Sequence, residues 1–219
     1  MTLVTVHSEA MCYHASEMLK QDLHRAYSLV SGSRVRRILE CLRSPGVQAI
    51  VAYRMGQWLQ TKPFVVRLLL KPVVSIQCHH SRAKWGIDIG ADAKIGPGFH
   101  INHFGGIFVG GGVVAGEYLT ITHDITIGYS RAKCRQGVPV IGNNVYIAPG
   151  AKLAGSVKIG DNVNIGANVV VERDIPDNAV VQIRPMLVVT FTNPSTKSQN
   201  CKESLVLQPP DQQVVLDNF

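Results

Sequence analysis

The chain has 219 residues, 46% of them apolar and only 17% charged, with a formal net charge of +7. That length accommodates one large domain, or a helical segment followed by a repeat domain, and so low a charge content suits a chain that hides surface in an oligomer. Nucleic acid is excluded as a partner: aromatics are 6%, no stacking platform for bases is visible, and the basic cluster Arg34, Arg36, Arg37 and Arg43 reads as a solvated helix face.

Residues from about 8 to 80 carry helical spacing. Leu19, Leu23, Ala26 and Tyr27 form one set, and Val47, Ile50, Val51, Met55 and Leu59 another. Ser44-Pro45-Gly46 separates two segments and Lys62-Pro63 starts a further one, so three or four helices are expected. The opening residues are polar with early acids and do not read as a signal peptide. The most apolar stretch, 63–78, is broken by Arg67, Lys71 and two prolines and is too short to span a bilayer. It is expected to be a buried helix. The five cysteines are widely spaced with no CxxC pair, which argues against a disulfide framework and for a cytoplasmic location. Cys78-His79-His80 has no partners at ligand spacing, so no metal is expected.

Near Gly86 the period changes to six. Aliphatic residues recur at Ile89, Ile95 and Ile101, then at Val109, Ala115, Ile121 and Ile127. The series resumes at Ile141, Ile147, Leu153, Ile159, Ile165 and Val171. Small or β-branched residues often follow four places on. This is a hexapeptide repeat. Each hexad makes one short strand and one corner, and three hexads close a coil with three flat sides. The predicted fold is mainly β: a left-handed parallel β-helix preceded by an α-helical cap. The expected organisation is a helical domain over 1–82, the β-helix over 83–188 with a loop 128–140 leaving the coil, and a loose polar tail over 189–219.

Two breaks in the period stand out. The step from Ile101 to Val109 is eight, and that from Ile127 to Ile141 is fourteen. Loops that interrupt a regular scaffold often carry function. The second loop is basic at Arg131, Lys133 and Arg135, which suits either phosphates and acidic acceptors or plain solvation. His103 and His123 are each third in a hexad, three hexads and the two-residue insertion apart. They are therefore expected on one side of the prism, one coil apart. Histidine suits a general base because its pKa lies near working pH; outward polar residues without a role are the alternative. His100 is expected to point outward and to be incidental.

Beyond the repeat, the chain resembles the serine acetyltransferase family over about residues 45–185. The stretch Pro45-Gly46-Val47-Gln48-Ala49-Ile50-Val51-Ala52-Tyr53-Arg54-Met55-Gly56-Gln57-Trp58-Leu59 is similar to the helix before that family's repeat domain. Gly86-Ile87-Asp88-Ile89-Gly90 is similar to its lead into the coil, and Asn102-His103-Phe104-Gly105-Gly106 to its catalytic strand. The resemblance implies an acetyl-CoA-dependent O-acetyltransferase without a metal. It implies a homotrimer or a dimer of trimers, with active sites between coils. His103 would be the general base and Asp88 the carboxylate that orients it. The cofactor groove would run along Gly128, Tyr129, Ala148, Pro149, Gly150, Ala151, Gly166 and Ala167.

Departures from the pattern bear on the acceptor. The family's acid before the catalytic histidine is Asn102 here. Its Arg-His-Pro stretch reads Gly137-Val138-Pro139, and the cap segment 28–31 has no acid. Val181-Gln182-Ile183-Arg184 replaces the usual Gly-Val-Pro-containing finish. With the groups that grip a zwitterion gone, and His123 where relatives acting on polysaccharides carry histidine, the expected acceptor is a sugar or polysaccharide-precursor hydroxyl, held by Asn102 and His123. The alternatives are L-serine O-acetylation in cysteine biosynthesis and a non-catalytic β-helix scaffold.

Overall fold

The computed structural model describes residues 15–132 and 135–183. The expected tail over 189–219, the start of the cap domain and Lys133 lie outside the described residues.

Four helices come first: α1 (Ala15–Leu29), α2 (Arg34–Arg43), α3 (Pro45–Gln60) and α4 (Phe64–Trp85). Their limits follow from local chemistry. The Ser33 hydroxyl accepts from Arg36 N at the start of α2, and Ser44 caps α3 by accepting from Val47 N, with Pro45 in the first turn. Gly86 ends α4 in the left-handed conformation, φ 62°, which costs glycine little.

Fourteen short strands follow, β1 (Ile87–Ile89) to β14 (Val180–Val181), in three parallel sheets. Sheet A has the order β1, β4 (Ile107–Val109), β7 (Thr126–Gly128), β10 (Lys152–Ala154), β13 (Val170–Val171); sheet B β11 (Lys158–Ile159), β8 (Val140–Ile141), β5 (Val114–Ala115), β2 (Lys94–Ile95); and sheet C β14, β12 (Asn164–Ile165), β9 (Tyr146–Ile147), β6 (Thr120–Ile121), β3 (His100–Ile101). Each coil visits A, B and C in turn, so the fold is the left-handed parallel β-helix expected from the six-residue period. Phe108 pairs with Thr126, eighteen residues on, whereas Ile87 pairs with Ile107 and Lys152 with Thr126. The longer steps are the two breaks in the period. The second is a tight projection in which Ser130 and Gly137 bridge antiparallel. Asn164 pairs with Val180, so the last coil is two residues short, a break the hexad count did not find.

The leading aliphatic of each hexad faces inward. Ile121, Ile127, Ile147, Leu153 and Ile165 are fully buried and stack along the axis, each contributing about 1.5–3 kcal/mol of transfer free energy. Corners turn through residues with positive φ, among them Asn144, Asn162, Asn168 and Asn178; asparagine tolerates that region better than most side chains.

The cap closes the open end of the coil. The first coil's outer edge presents backbone groups with no further strand to pair with, and side chains satisfy them. The Tyr53 hydroxyl donates to Ala93 O (2.7 Å) and accepts from Ile95 N. Arg54 donates to Ile95 O and Gly96 O, both at 2.7 Å, and Asp22 accepts from Phe99 N at 2.7 Å. Arg25 donates to Gly98 O, and Gln60 to Ala91 O. Arg54 and Asp22 also form a fully buried ion pair at 2.8 Å. Burial pushes the Asp22 carboxyl up, against the pull of Arg54, and pushes the Tyr53 phenol up to about 12.

The apolar stretch of α4 is not buried within one chain. Phe64, Val65, Leu68, Leu69 and Ile76 are each more than 60% exposed. α4 packs through its opposite side and its C-terminal half, where Ser81 is buried. The expectation of a buried helix therefore fails for the isolated subunit, because only one side of α4 meets α3 and β1. No described helix is long and apolar enough to cross a membrane.

Candidate active site

The edge of the prism between sheets C and A gathers most of the predicted residues. It is formed in successive coils by residues 102–106, 122–125, 148–151 and 166–169. Ile101 and Ile121 point inward and are buried, so the next residues leave the sheet. His103 and His123 are both exposed, on neighbouring coils, with ring centroids 6.1 Å apart and planes inclined at 66°. Asn102 is also exposed. Among the described residues, the side chains of Asn102, His103 and His123 make no hydrogen bond to protein.

The corners are built to hold this pair. The two extra residues after Ile101 let the chain turn through Gly105 and Gly106, both at positive φ. A Cβ on Gly106 would sit 3.1 Å from the Asp124 Cα, so glycine is needed for the close approach. Thr122, buried, donates from its hydroxyl to Ile147 O at 3.0 Å, and Gly150 N donates to His123 O at 3.2 Å. His123 is thus fixed from both sides.

Asp88 stands apart. It lies in the middle of β1, opposite Phe108, and its carboxylate accepts from Arg82 Nη2 at 2.9 Å. No hydrogen bond joins it to His103 among the described residues. Ala49, Ala52, Tyr53, Cys78 and Ser81 line a small cleft beside it, in which the Ser81 hydroxyl is buried without a partner.

The groove residues divide. Ala148, Pro149, Gly150, Ala151, Gly166 and Ala167 share the edge with the histidines. Their smallness answers first to coil stacking. A Cβ on Gly166 would meet Val181 O at 2.8 Å, and one on Gly150 would meet the Asn168 side chain. The amides of Ala148, Gly150, Ala151 and Gly166 already donate to Ile165, His123, Ala148 and Val181 carbonyls. Gly128 and Tyr129 lie at the far end of sheet A, where Gly128 packs under the Phe108 ring and the Tyr129 hydroxyl accepts from Gln136. Arg135 of the basic loop is held by Glu172, through its carbonyl and a 3.7 Å ion pair.

His100 does not face solvent as expected. It is half-buried, its Nδ1 is enclosed without a partner, and burial, assisted by the Arg25 charge, lowers its pKa to about 4. Two further residues of the edge escaped sequence reading. Asp124 follows His123, and its carboxylate meets Lys152 Nζ at 2.9 Å. The signal was the register across the long insertion, which sets Lys152 beside Thr126.

Comparison with known proteins fits this geometry. Residues 139–173 match the family described as bacterial transferase hexapeptide (six repeats). A serine acetyltransferase of Synechococcus elongatus is 37% identical over 139 residues, 63% of this chain and 54% of that protein. The Helicobacter pylori (strain 26695) serine acetyltransferase is 34% identical over 132 residues, 60% of this chain and 74% of that protein. Among solved structures, the Brucella abortus serine acetyltransferase in complex with coenzyme A superposes with a TM-score of 0.64 at 26% identity, covering 78% of this chain and 65% of that one. The chain spans just over half the length of the cyanobacterial relative.

These relatives overturn the expected sugar or polysaccharide acceptor. The departures at Asn102 and Val138 were read as loss of zwitterion binding, yet the matching proteins are serine acetyltransferases. With the helical cap, the hexapeptide coil and these matches in agreement, the chain belongs to the serine acetyltransferase family.

Proposed function

We propose that this protein transfers the acetyl group of acetyl-CoA to the hydroxyl of L-serine, as in cysteine biosynthesis, and works in the cytoplasm. The observation that supports it is the exposed His103–His123 pair, 6.1 Å apart on one edge of the coil, in a chain of this family. His103 is the general base: it takes the proton of the acceptor hydroxyl as that oxygen attacks the thioester carbonyl, and returns it to the departing thiolate. His123 and Asn102 position the acceptor. Asp88 supports His103 when substrate binding draws it from Arg82. Acetyl-CoA lies along the edge from Ala148 to Ala167 and extends across sheet A towards Gly128 and Tyr129. The test is thiol release from acetyl-CoA with L-serine, His103→Ala serving as control. Absence of serine-dependent release by the intact protein defeats the reading.

The same reading holds that the working unit is a homotrimer, or two trimers joined through the cap. Large apolar side chains on α2 and α4 support it: Val35, Leu42, Phe64, Leu68 and Leu69 are all more than 60% exposed in the single chain, as expected of surface covered by another subunit. Light scattering tests this; a stable monomer with full turnover would end it.

A further inference from the structure

The Asp124–Lys152 pair links two coils at the surface. Its side chains are 63% and 37% exposed, and an ion pair so wet adds little to stability. Yet it is carefully placed. Asp124 follows His123, its amide donates to Gly105 O at 2.7 Å, and its Oδ1 lies 3.3 Å from where a Cβ on Gly106 would be. The carboxylate thus sits against the corner that carries His103. Lys152 comes from the next coil and donates both to Asp124 Oδ1 and to Asp124 O, at 2.9 and 2.7 Å. An anion and a cation therefore stand side by side on the edge that carries His103 and His123.

We infer that this pair binds the charged end of the acceptor, Asp124 taking the α-ammonium and Lys152 the α-carboxylate. The inference rests on the serine reading above. A free amino acid carries both charges on one carbon, and each must find a partner when the site closes. A preformed pair of opposite charges meets that need without leaving an unpaired charge in the empty site: the zwitterion exchanges one contact for two. The hydroxyl, one carbon further on, is then directed towards the histidines. Asp124 and Lys152 are specificity residues in this scheme and exchange no proton.

The experiment is steady-state kinetics on the full chain and on Asp124→Asn and Lys152→Gln. Three acceptors are compared: L-serine, serinamide, which lacks the carboxylate, and 3-hydroxypropanoate, which lacks the ammonium. Asparagine suits position 124, where φ is 54°, so the backbone is kept. Each variant is expected to raise the KM for L-serine about 10–100-fold, the loss of one charged contact, with kcat within about threefold. Asp124→Asn should leave the KM for 3-hydroxypropanoate unchanged, and Lys152→Gln that for serinamide. An unmoved serine KM in both variants, with the parent active on serine, overturns this inference and leaves the serine reading standing. A KM change confined to acetyl-CoA in Lys152→Gln also overturns it. A parent that does not use serine overturns both.

Discussion

Two edges of the same prism use polar side chains in opposite ways. On the edge between sheets B and C, polar side chains tie each coil to the next from the second coil onward. Asn144 Nδ2 donates to Asn162 Oδ1, and Asn162 Nδ2 to Asn178 Oδ1. Asn143 Oδ1 accepts from Glu117 N and Asp177 Oδ1 from Asp161 N, the same contact repeated two coils apart. On the edge between C and A, the side chains of Asn102, His103 and His123 are also exposed and make no hydrogen bond among the described residues. The scaffold needs its polar corners satisfied for stacking; where they are left unsatisfied, they are available to a substrate. In a repeat this regular, uncommitted side chains are a better guide to chemistry than residue type.

Substitutions on the two edges, and at the cap that anchors both, should therefore separate activity from stability. The largest effect is expected from His103→Ala, which should lower kcat about 10²–10⁴-fold and leave the melting temperature unchanged. A melting shift with turnover kept would reverse the assignment of the edges. Arg54→Ala should behave oppositely, costing about 3–5 kcal/mol because it strands Asp22 in the interior; denaturant unfolding measures it, and Asp22→Leu with Arg54→Met should not recover the loss, since Phe99 N and the Ile95 and Gly96 carbonyls would then lack partners. Asp88→Asn should lower turnover less than His103→Ala, since orientation is only part of the effect of a base. Arg82→Gln then asks whether the Arg82 contact restrains Asp88, in which case turnover rises or holds.

Smaller effects sharpen the comparison. Asn162→Ala should cost about 2 kcal/mol, combining the loss of both its ladder bonds with alanine at φ 56°. Asn162→Gly should cost less, since only the two ladder bonds are lost. The smallest expected effect concerns His100. In the folded protein its pKa is about 4, below the 6.5 of an unfolded histidine. Between those values the unfolded chain binds a proton that the folded chain does not. Stability is thus unaffected above pH 6.5 and falls as pH drops from 6.5 towards 4. His100→Phe should flatten that slope in chemical melts taken across the window.

Much of this was legible in the sequence. The step of six fixes inward and outward positions, so Ile101 and Ile121 locate His103 and His123 on one edge without a structure. The breaks after Ile101 and Ile127 are visible in the same count. What stayed hidden depends on distance in the chain. Lys152 meets Asp124 only after the register crosses the long insertion, and Arg54 reads as one more polar residue until Asp22 and the coil carbonyls surround it. His100 follows the outward rule but lies in the first coil, where the cap covers it. Hexads cannot report what packs against them from outside. The acceptor is not legible from single positions: Asn102 and Val138 depart from the family pattern, yet the matching relatives are serine acetyltransferases.

The hydrogen bonds from Tyr53, Arg54, Asp22 and Gln60 to the rim of the first coil carry a consequence for self-assembly. A parallel coil ends in a row of unsatisfied amides and carbonyls that suits another coil as well as it suits a cap. By occupying Ala91 O, Ala93 O, Ile95 O and Gly96 O, α3 acts as a chain terminator. If the cap is loosened, the coil end becomes sticky, and molecules that would otherwise remain discrete particles can add end to end into filaments.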